Sequence, residues 1–255
     1  MPGIALRRLV VVLAAGTLVA AGGRGGAATL EIGSPAPAID VAHWFEAVGG
    51  ATPIRDFEPG KIYVVEFWAT WCGPCRTSIP RLAEIQKRYA GRGVTVIGVS
   101  DEEVAEVEAF LAKESGDTTF AELTRTYRLG VDPDGSVNTD YMQAAGQDGI
   151  PIAFIVGRRG EIEWIGHPLR MNEQLEQVVA GTWDRAAHAA EVKERAAALA
   201  PAEGNVLDTL AHLLALAGDL PAAIAAQRQA AAHAGDQAEQ INAYLQELEA
   251  RAGAK

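Results

Sequence analysis

Residues 61–75 read Lys61-Ile62-Tyr63-Val64-Val65-Glu66-Phe67-Trp68-Ala69-Thr70-Trp71-Cys72-Gly73-Pro74-Cys75, and their order decides the fold. The first eight are β-branched or aromatic apart from Lys61 and Glu66, so Lys61–Trp68 reads as a buried strand. Beyond them, Pro74–Tyr89 carries Ile79, Leu82, Ile85 and Tyr89 at helical spacing. A strand running into a helix through this turn puts Cys72 at the helix N-terminus. Unpaired backbone N–H groups and the positive end of the helix dipole favour a thiolate there, which makes the sulfur a usable nucleophile near neutral pH. Cys75 lies one turn further on and deeper, placed to resolve a mixed disulfide formed by Cys72.

Working outward, Val94–Ser100 reads as a second strand, and a helix near Glu102–Glu114 shows Val104, Val107, Phe110 and Leu111 on one face. The acidic residues of that helix read as a solvated surface. Ile152–Val156 and Glu161–Gly166, joined by Gly157-Arg158-Arg159-Gly160, form an antiparallel hairpin pattern at a sheet edge. Asp132-Pro133-Asp134-Gly135 reads as a turn, because the further acidic ligands of a calcium loop are missing. The alternation of strand and helix patterns over residues 29–181 predicts βαβ units around a largely parallel central sheet.

The 255-residue chain has 49% hydrophobic residues, enough for one or two cored domains. Its formal charge of -11 argues against a nucleic-acid partner, whose phosphates would have to be neutralised by cations. Cys72 and Cys75 are its two cysteines, so a multi-bridge framework is excluded, and five scattered histidines do not complete a structural zinc site. Arg7 and Arg8 precede an apolar run from Leu9 to Ala21 and a small-residue stretch to Ala28. Residues 1–28 therefore read as a secretory signal, cleaved near Ala28, with an uncleaved membrane anchor as the alternative. Export, with the periplasm as the expected compartment, puts both thiols where a disulfide persists.

After Gly181 the composition changes: 25 of the 74 residues from 182 to 255 are alanine, which favours helix, and the segment has no cysteine. Leu207, Leu210, Leu214, Gly218, Ala223, Ile224 and Ala230 are spaced as in one tetratricopeptide unit. Leu207, Leu214 and Gln227 depart from that pattern, and its terminal Pro is missing. An ordinary helical appendage is the competing reading. Flanking helices are expected near Trp183–Ala200 and Asp236–Arg251.

A purely structural Cys72–Cys75 bridge would close so little chain that it contributes only about 2 kcal/mol, against roughly 3 kcal/mol for a 15-residue loop. Redox chemistry is the better reading. The run Val64–Cys75 resembles the active-site segment of the thioredoxin superfamily, and within it the exported TlpA/ResA-type thiol:disulfide oxidoreductases of the redoxin branch. Val96–Ser100, Gly149-Ile150-Pro151 and Ile162–Pro168 fall where redoxins carry comparable runs, so the likeness covers roughly residues 31–181.

The resemblance implies a thioredoxin-like α/β fold, a central mixed sheet flanked by helices, here with a C-terminal all-α extension. It also implies a redox-active Cys72–Cys75 disulfide with no other cofactor and no metal. Pro151 matches the family's cis-proline, which would leave the Ile150 backbone open to an extended substrate segment. Glu66 stands six residues before Cys72, where many thioredoxins place a buried aspartate. A buried carboxyl there would have a raised pKa and accept the Cys75 proton. Trp71, Gly73 and Pro74 are expected to contact substrate, while Trp68 belongs to the core or to a wall of the site and His167 to a surface turn.

Gly73-Pro74 lacks the histidine of strong oxidants, so the expected activity is reduction of protein disulfides, with an external dithiol restoring the pair. A protein partner is expected on residues 182–255. Two rivals remain: a peroxiredoxin-like peroxidase, whose proline and threonine setting Thr70 and Trp71 do not supply, and a docking or assembly protein whose tail is the functional part.

Overall fold

The computed structural model describes residues 30–47, 53–199, 204–216, 219–233 and 238–253. The leader and Gly218 lie outside these.

Strands β1 (His43–Trp44), β2 (Ile62–Phe67) and β3 (Val94–Ser100) are followed by a two-residue pair, β4 (Glu114–Ser115) and β5 (Thr118–Thr119). β6 (Arg128–Val131), β7 (Ile152–Val156) and β8 (Ile162–Gly166) complete the set. Six of them form one sheet in the order β1-β6-β3-β2-β7-β8. The expectation of a largely parallel sheet is corrected here. β2–β3 and β3–β6 are parallel, but β1–β6, β2–β7 and β7–β8 are antiparallel. The hairpin read at 152–166 supplies two of those antiparallel pairings, because β7 also returns along the other side of β2.

All six residues of β2 are buried, as a central strand requires. Alternate side chains feed two cores. Ile62, Val64 and Trp68 join the core that covers one face, with α1 (Gly73–Tyr89), α2 (Val104–Leu111), α3 (Phe120–Thr124) and α5 (Asn172–Ala180). Tyr63, Val65 and Phe67 face the other core, against Ile39, Val41 and the segment beginning at α4 (Ser136–Asn138) and continuing as a π-type turn over Thr139–Gln143. In that second core Phe67, Tyr141 and Phe154 form an aromatic cluster with centroids 5.1–5.7 Å apart, and the Tyr141 hydroxyl donates to the Pro37 carbonyl at 2.6 Å. Asp132–Gly135 is the turn expected: Val137 N–H donates to Asp132 Oδ2 at 2.7 Å and Gly135 takes φ 68°.

The tail is helical: α6 (Arg185–Leu199), α7 (Gly204–Leu216), α8 (Leu220–Ala232) and α9 (Ala238–Gly253). Leu207, Leu210, Leu214, Ala223 and Ala230 pack together with Ile241 and Leu248 of α9. Gln227, which broke the repeat pattern, is buried because its amide donates to Asp208 Oδ1 at 2.7 Å and to the Ile241 carbonyl at 3.0 Å. Among the described residues, two sets of ion pairs join the tail to the sheet domain. Arg185 clamps Glu163 through Nε at 2.6 Å and Nη2 at 2.8 Å and reaches Glu161 at 2.6 Å. Arg251 pairs with Glu31 at 2.8 Å.

Candidate active site

The C-terminal end of β2 delivers the chain into a short turn from which α1 starts, and Cys72 is the N-cap of that helix in extended conformation. Its sulfur accepts the Cys75 N–H at 3.2 Å, one of the helix-start donors that would otherwise have no partner. Pro74 fits the first turn, where a missing N–H costs nothing, and Lys87 and Arg88 complement the dipole at the other end. Cys72 and Cys75 are joined as a disulfide. Cys75 is fully buried, Cys72 is 4% exposed, and Trp71 beside them is 72% exposed. Gly73 is half-buried and Pro74 exposed, so the turn presents Trp71 and Pro74 outward and keeps the sulfurs low.

The Ile150–Pro151 peptide is cis. Pro151 is buried, Ile150 is half-buried, and the Ile150 carbonyl oxygen lies 3.6 Å from Cys72 Sγ. The segment preceding β7 is thereby brought against the sulfurs from across the sheet.

Glu66 is fully buried on β2, on the face that α1 covers. Its pairing partners are Gly98 on β3 and Ala153 on β7, so small residues flank the carboxyl on both sides. A Cβ at Gly98 would come within 3.0 Å of Leu129 Cδ1 and 3.4 Å of Trp68 Nε1 and of the Tyr127 ring. Ser78, one turn after Cys75, directs its hydroxyl at Glu66 Oε1 from 3.2 Å, while Oε2 and the Trp68 indole N–H have no protein partner. Desolvation dominates: burial raises the Glu66 carboxyl to about 8, and the Ser78 hydrogen bond opposes the rise. Glu66 also pushes the buried Tyr127 phenol further up, after burial itself.

Glu102, read as part of a solvated face, is instead a brace for the active-site turn. Its carboxylate accepts the Thr70 N–H at 2.7 Å, the Thr70 hydroxyl at 2.6 Å and the Ser100 hydroxyl at 2.9 Å. This ties the residues just before Cys72 to the end of β3. Ser78 and Glu102 were both missed in the sequence. Ser78 carried a weak signal, lying three residues after Cys75 on the helix face that holds Ile79 and Leu82; Glu102 carried none, since its partner is 32 residues away. His167 caps the 3-10 turn over Pro168–Arg170 by accepting the Leu169 N–H, as a turn residue would. Among the described residues no group of acidic, histidine and cysteine side chains could hold a metal ion.

A disulfide that closes a Cys-Gly-Pro-Cys turn at a helix N-terminus, set on a mixed sheet against a cis-proline segment, defines a thioredoxin-like protein disulfide oxidoreductase. Known proteins agree with that class. The family model described as AhpC/TSA matches residues 32–165, more than half of the chain, and the chain belongs to that family. Protein FixW of Rhizobium leguminosarum is 33% identical over 158 residues, 62% of this chain and 70% of that protein. The thiol:disulfide interchange protein HelX of Rhodobacter capsulatus is 31% identical over 163 residues, 61% and 81% of the two chains. A crystal structure of a thiol:disulfide interchange protein of the thioredoxin family from Chlorobium tepidum TLS aligns with 23% identity and a TM-score of 0.42, covering 58% of this chain and 97% of that one. The family model stops short of the helical tail.

Proposed function

We propose that this chain is an extracytoplasmic oxidoreductase that reduces protein disulfides through a dithiol cycle of Cys72 and Cys75. The observation that carries the reading is the Cys75 N–H on Cys72 Sγ at the start of α1, above a buried carboxyl. In the reduced protein the same N–H stabilises a Cys72 thiolate. That thiolate attacks one sulfur of a substrate disulfide, breaking the S–S bond and releasing one substrate thiolate, which takes a proton from water. The Cys75 thiol then gives its proton to the Glu66 carboxylate, and the resulting thiolate attacks Cys72 Sγ in the mixed disulfide. The second substrate thiolate leaves and Cys72–Cys75 closes, so two electrons have passed to the substrate. An external dithiol reverses these exchanges and restores the pair.

Trp71, Gly73 and Pro74 supply the rim on which a protein substrate rests, and the backbone of Ile150 beside Pro151 offers a strand edge for pairing. The tail helices, residues 182–255, are a docking surface for a protein partner. The leader pattern at residues 1–28 supports export, and among the described residues no helix is long and apolar enough to cross a membrane. The Gly73-Pro74 dipeptide supports the reducing direction.

Redox titration of the Cys72/Cys75 couple tests it. A potential near the roughly -270 mV of thioredoxin is expected, and a value above about -150 mV would reverse the direction of electron flow. In the same preparation Cys75→Ala should arrest the cycle as a covalent adduct on Cys72 with a disulfide substrate such as insulin, and failure to form any adduct would remove Cys72 as the nucleophile.

A further inference from the structure

We propose that Ser78 is a positioning residue for the resolving half-reaction: its hydroxyl holds the Glu66 carboxyl against the first turn of α1 and sets the pH at which that carboxyl takes up the Cys75 proton. The proposal rests on the Cys72/Cys75 cycle given above and concerns a residue outside it.

Ser78 is fully buried, and its oxygen lies 3.2 Å from Glu66 Oε1 and 2.8 Å from the carbonyl oxygen of Cys75. A hydroxyl has one hydrogen, so it cannot donate to both at once. When Glu66 is a carboxylate, the Ser78 O–H turns to Oε1 and the Cys75 carbonyl loses that donor. When Glu66 is protonated, its own O–H can donate to Ser78 Oγ, and the Ser78 O–H returns to the Cys75 carbonyl. The hydroxyl therefore has two settings, one for each protonation state, and its second partner is the backbone of the residue that bears the resolving sulfur.

Among the described residues, β3 and β7 place Gly98 and Ala153 beside Glu66, the Tyr127 phenol ahead of β6 feels its charge, and α1 brings Ser78 against it one turn after Cys75, the thiol that the cycle pairs with it. Ser78 is the hydroxyl donor to the carboxylate, and a hydrogen bond to a charged acceptor is worth about twice one to a neutral acceptor. Its net effect is to keep the carboxyl ionisable despite burial, which agrees with the direction in which it moves that group.

The test is carried out on the full chain with Ser78→Ala, Ser78→Thr and Glu66→Gln. Carboxyl NMR of the oxidised protein, in which neither cysteine titrates, follows Glu66. Single-turnover decay of a Cys72 mixed disulfide against pH follows resolution. With Ser78→Ala both midpoints should move up together by on the order of one pH unit, an approximately tenfold loss of carboxylate and of resolution rate at pH 7. Ser78→Thr should restore both.

Unmoved midpoints in Ser78→Ala, or a Thr variant displaced as far as Ala, would overturn the role of the hydroxyl. Glu66→Gln separates the two levels of the argument. If it abolishes the pH dependence of resolution while Ser78→Ala changes nothing, the carboxyl acts without Ser78 and the proposal fails alone. If it leaves the profile intact, the proton-acceptor role of Glu66 fails, and this proposal with it.

Discussion

Replacing Glu66 by Gln keeps the size of the side chain and removes its titration, and the burial of the carboxyl gives the sign of the consequence and its order of magnitude. Burial holds the Glu66 carboxyl at about 8 against an ordinary value of 4.5. Between those two pH values the folded protein keeps a proton that the unfolded chain has released, so the folded state binds more protons and stability falls as pH rises. Below 4.5 the group is protonated in both states and the contribution is complete; above about 8 it is ionised in both and the contribution has been lost. Each pH unit between them is worth about 1.4 kcal/mol, giving a total of roughly 5 kcal/mol as an order of magnitude.

Urea unfolding of oxidised wild type and Glu66→Gln, followed by tryptophan fluorescence from pH 5 to 9, measures the effect, and the difference between them cancels every other titrating group. Near pH 5 the two should be similar in stability. The variant should then gain on the wild type by about 1 kcal/mol or more per pH unit and level off above pH 8. A difference independent of pH, or one of opposite slope, would refute the raised titration of the buried Glu66 carboxyl on which both the proton-transfer step and the Ser78 argument depend.

Other perturbations test separate parts of the molecule. Trp71→Ala should change stability by less than about 0.5 kcal/mol, because the ring is 72% exposed, yet lower kcat/KM for a protein disulfide by roughly tenfold while sparing exchange with a small disulfide. Equal losses on both substrates would show that the ring acts on the sulfurs and not on the substrate chain. Arg185→Ala leaves the largely buried Glu163 without its cation, and denaturant midpoints should report about 2 kcal/mol of lost stability, with faster hydrogen exchange in α6. A loss below about 0.5 kcal/mol would make the clamp ornamental. Removing residues 182–255 should preserve insulin reduction and abolish turnover of a partner that docks on the helices; survival of both activities would make the tail an appendage.

What could be read from the sequence was local. β3 and β7 match their expected bounds, and β2 and β8 fall within one residue of theirs, because β-branched runs bounded by glycine or a turn carry their own signal. The start of α1 was legible for the same reason, since Pro74 and the Ile79/Leu82/Ile85 spacing mark it from inside. β1, β4 and β5 have two residues each and no periodicity to detect, and β6 is shaped by β3, whose Ile97 pairs with Arg128 and whose Ser100 pairs with Val131. The mixed sheet escaped the pattern argument because β7 reads as a strand whichever way it runs. At the site, Glu66 was singled out through the family resemblance, which places a buried carboxyl six residues before Cys72. The Glu102–Thr70 brace and the Ser78–Glu66 contact are tertiary, between side chains that sequence spacing does not bring together.

Gly98 carries a consequence for how this protein can change over generations. A methyl group added there would press on the end of Leu129 at 3.0 Å and touch the Trp68 and Tyr127 rings at 3.4 Å, an ordinary contact distance. Positions 66, 68, 98, 127 and 129 therefore form one inherited set, spread over neighbouring stretches of backbone. A lineage that enlarged position 98 would do so by shifting or shrinking position 129, and such paired replacements are the mark to look for among descendants.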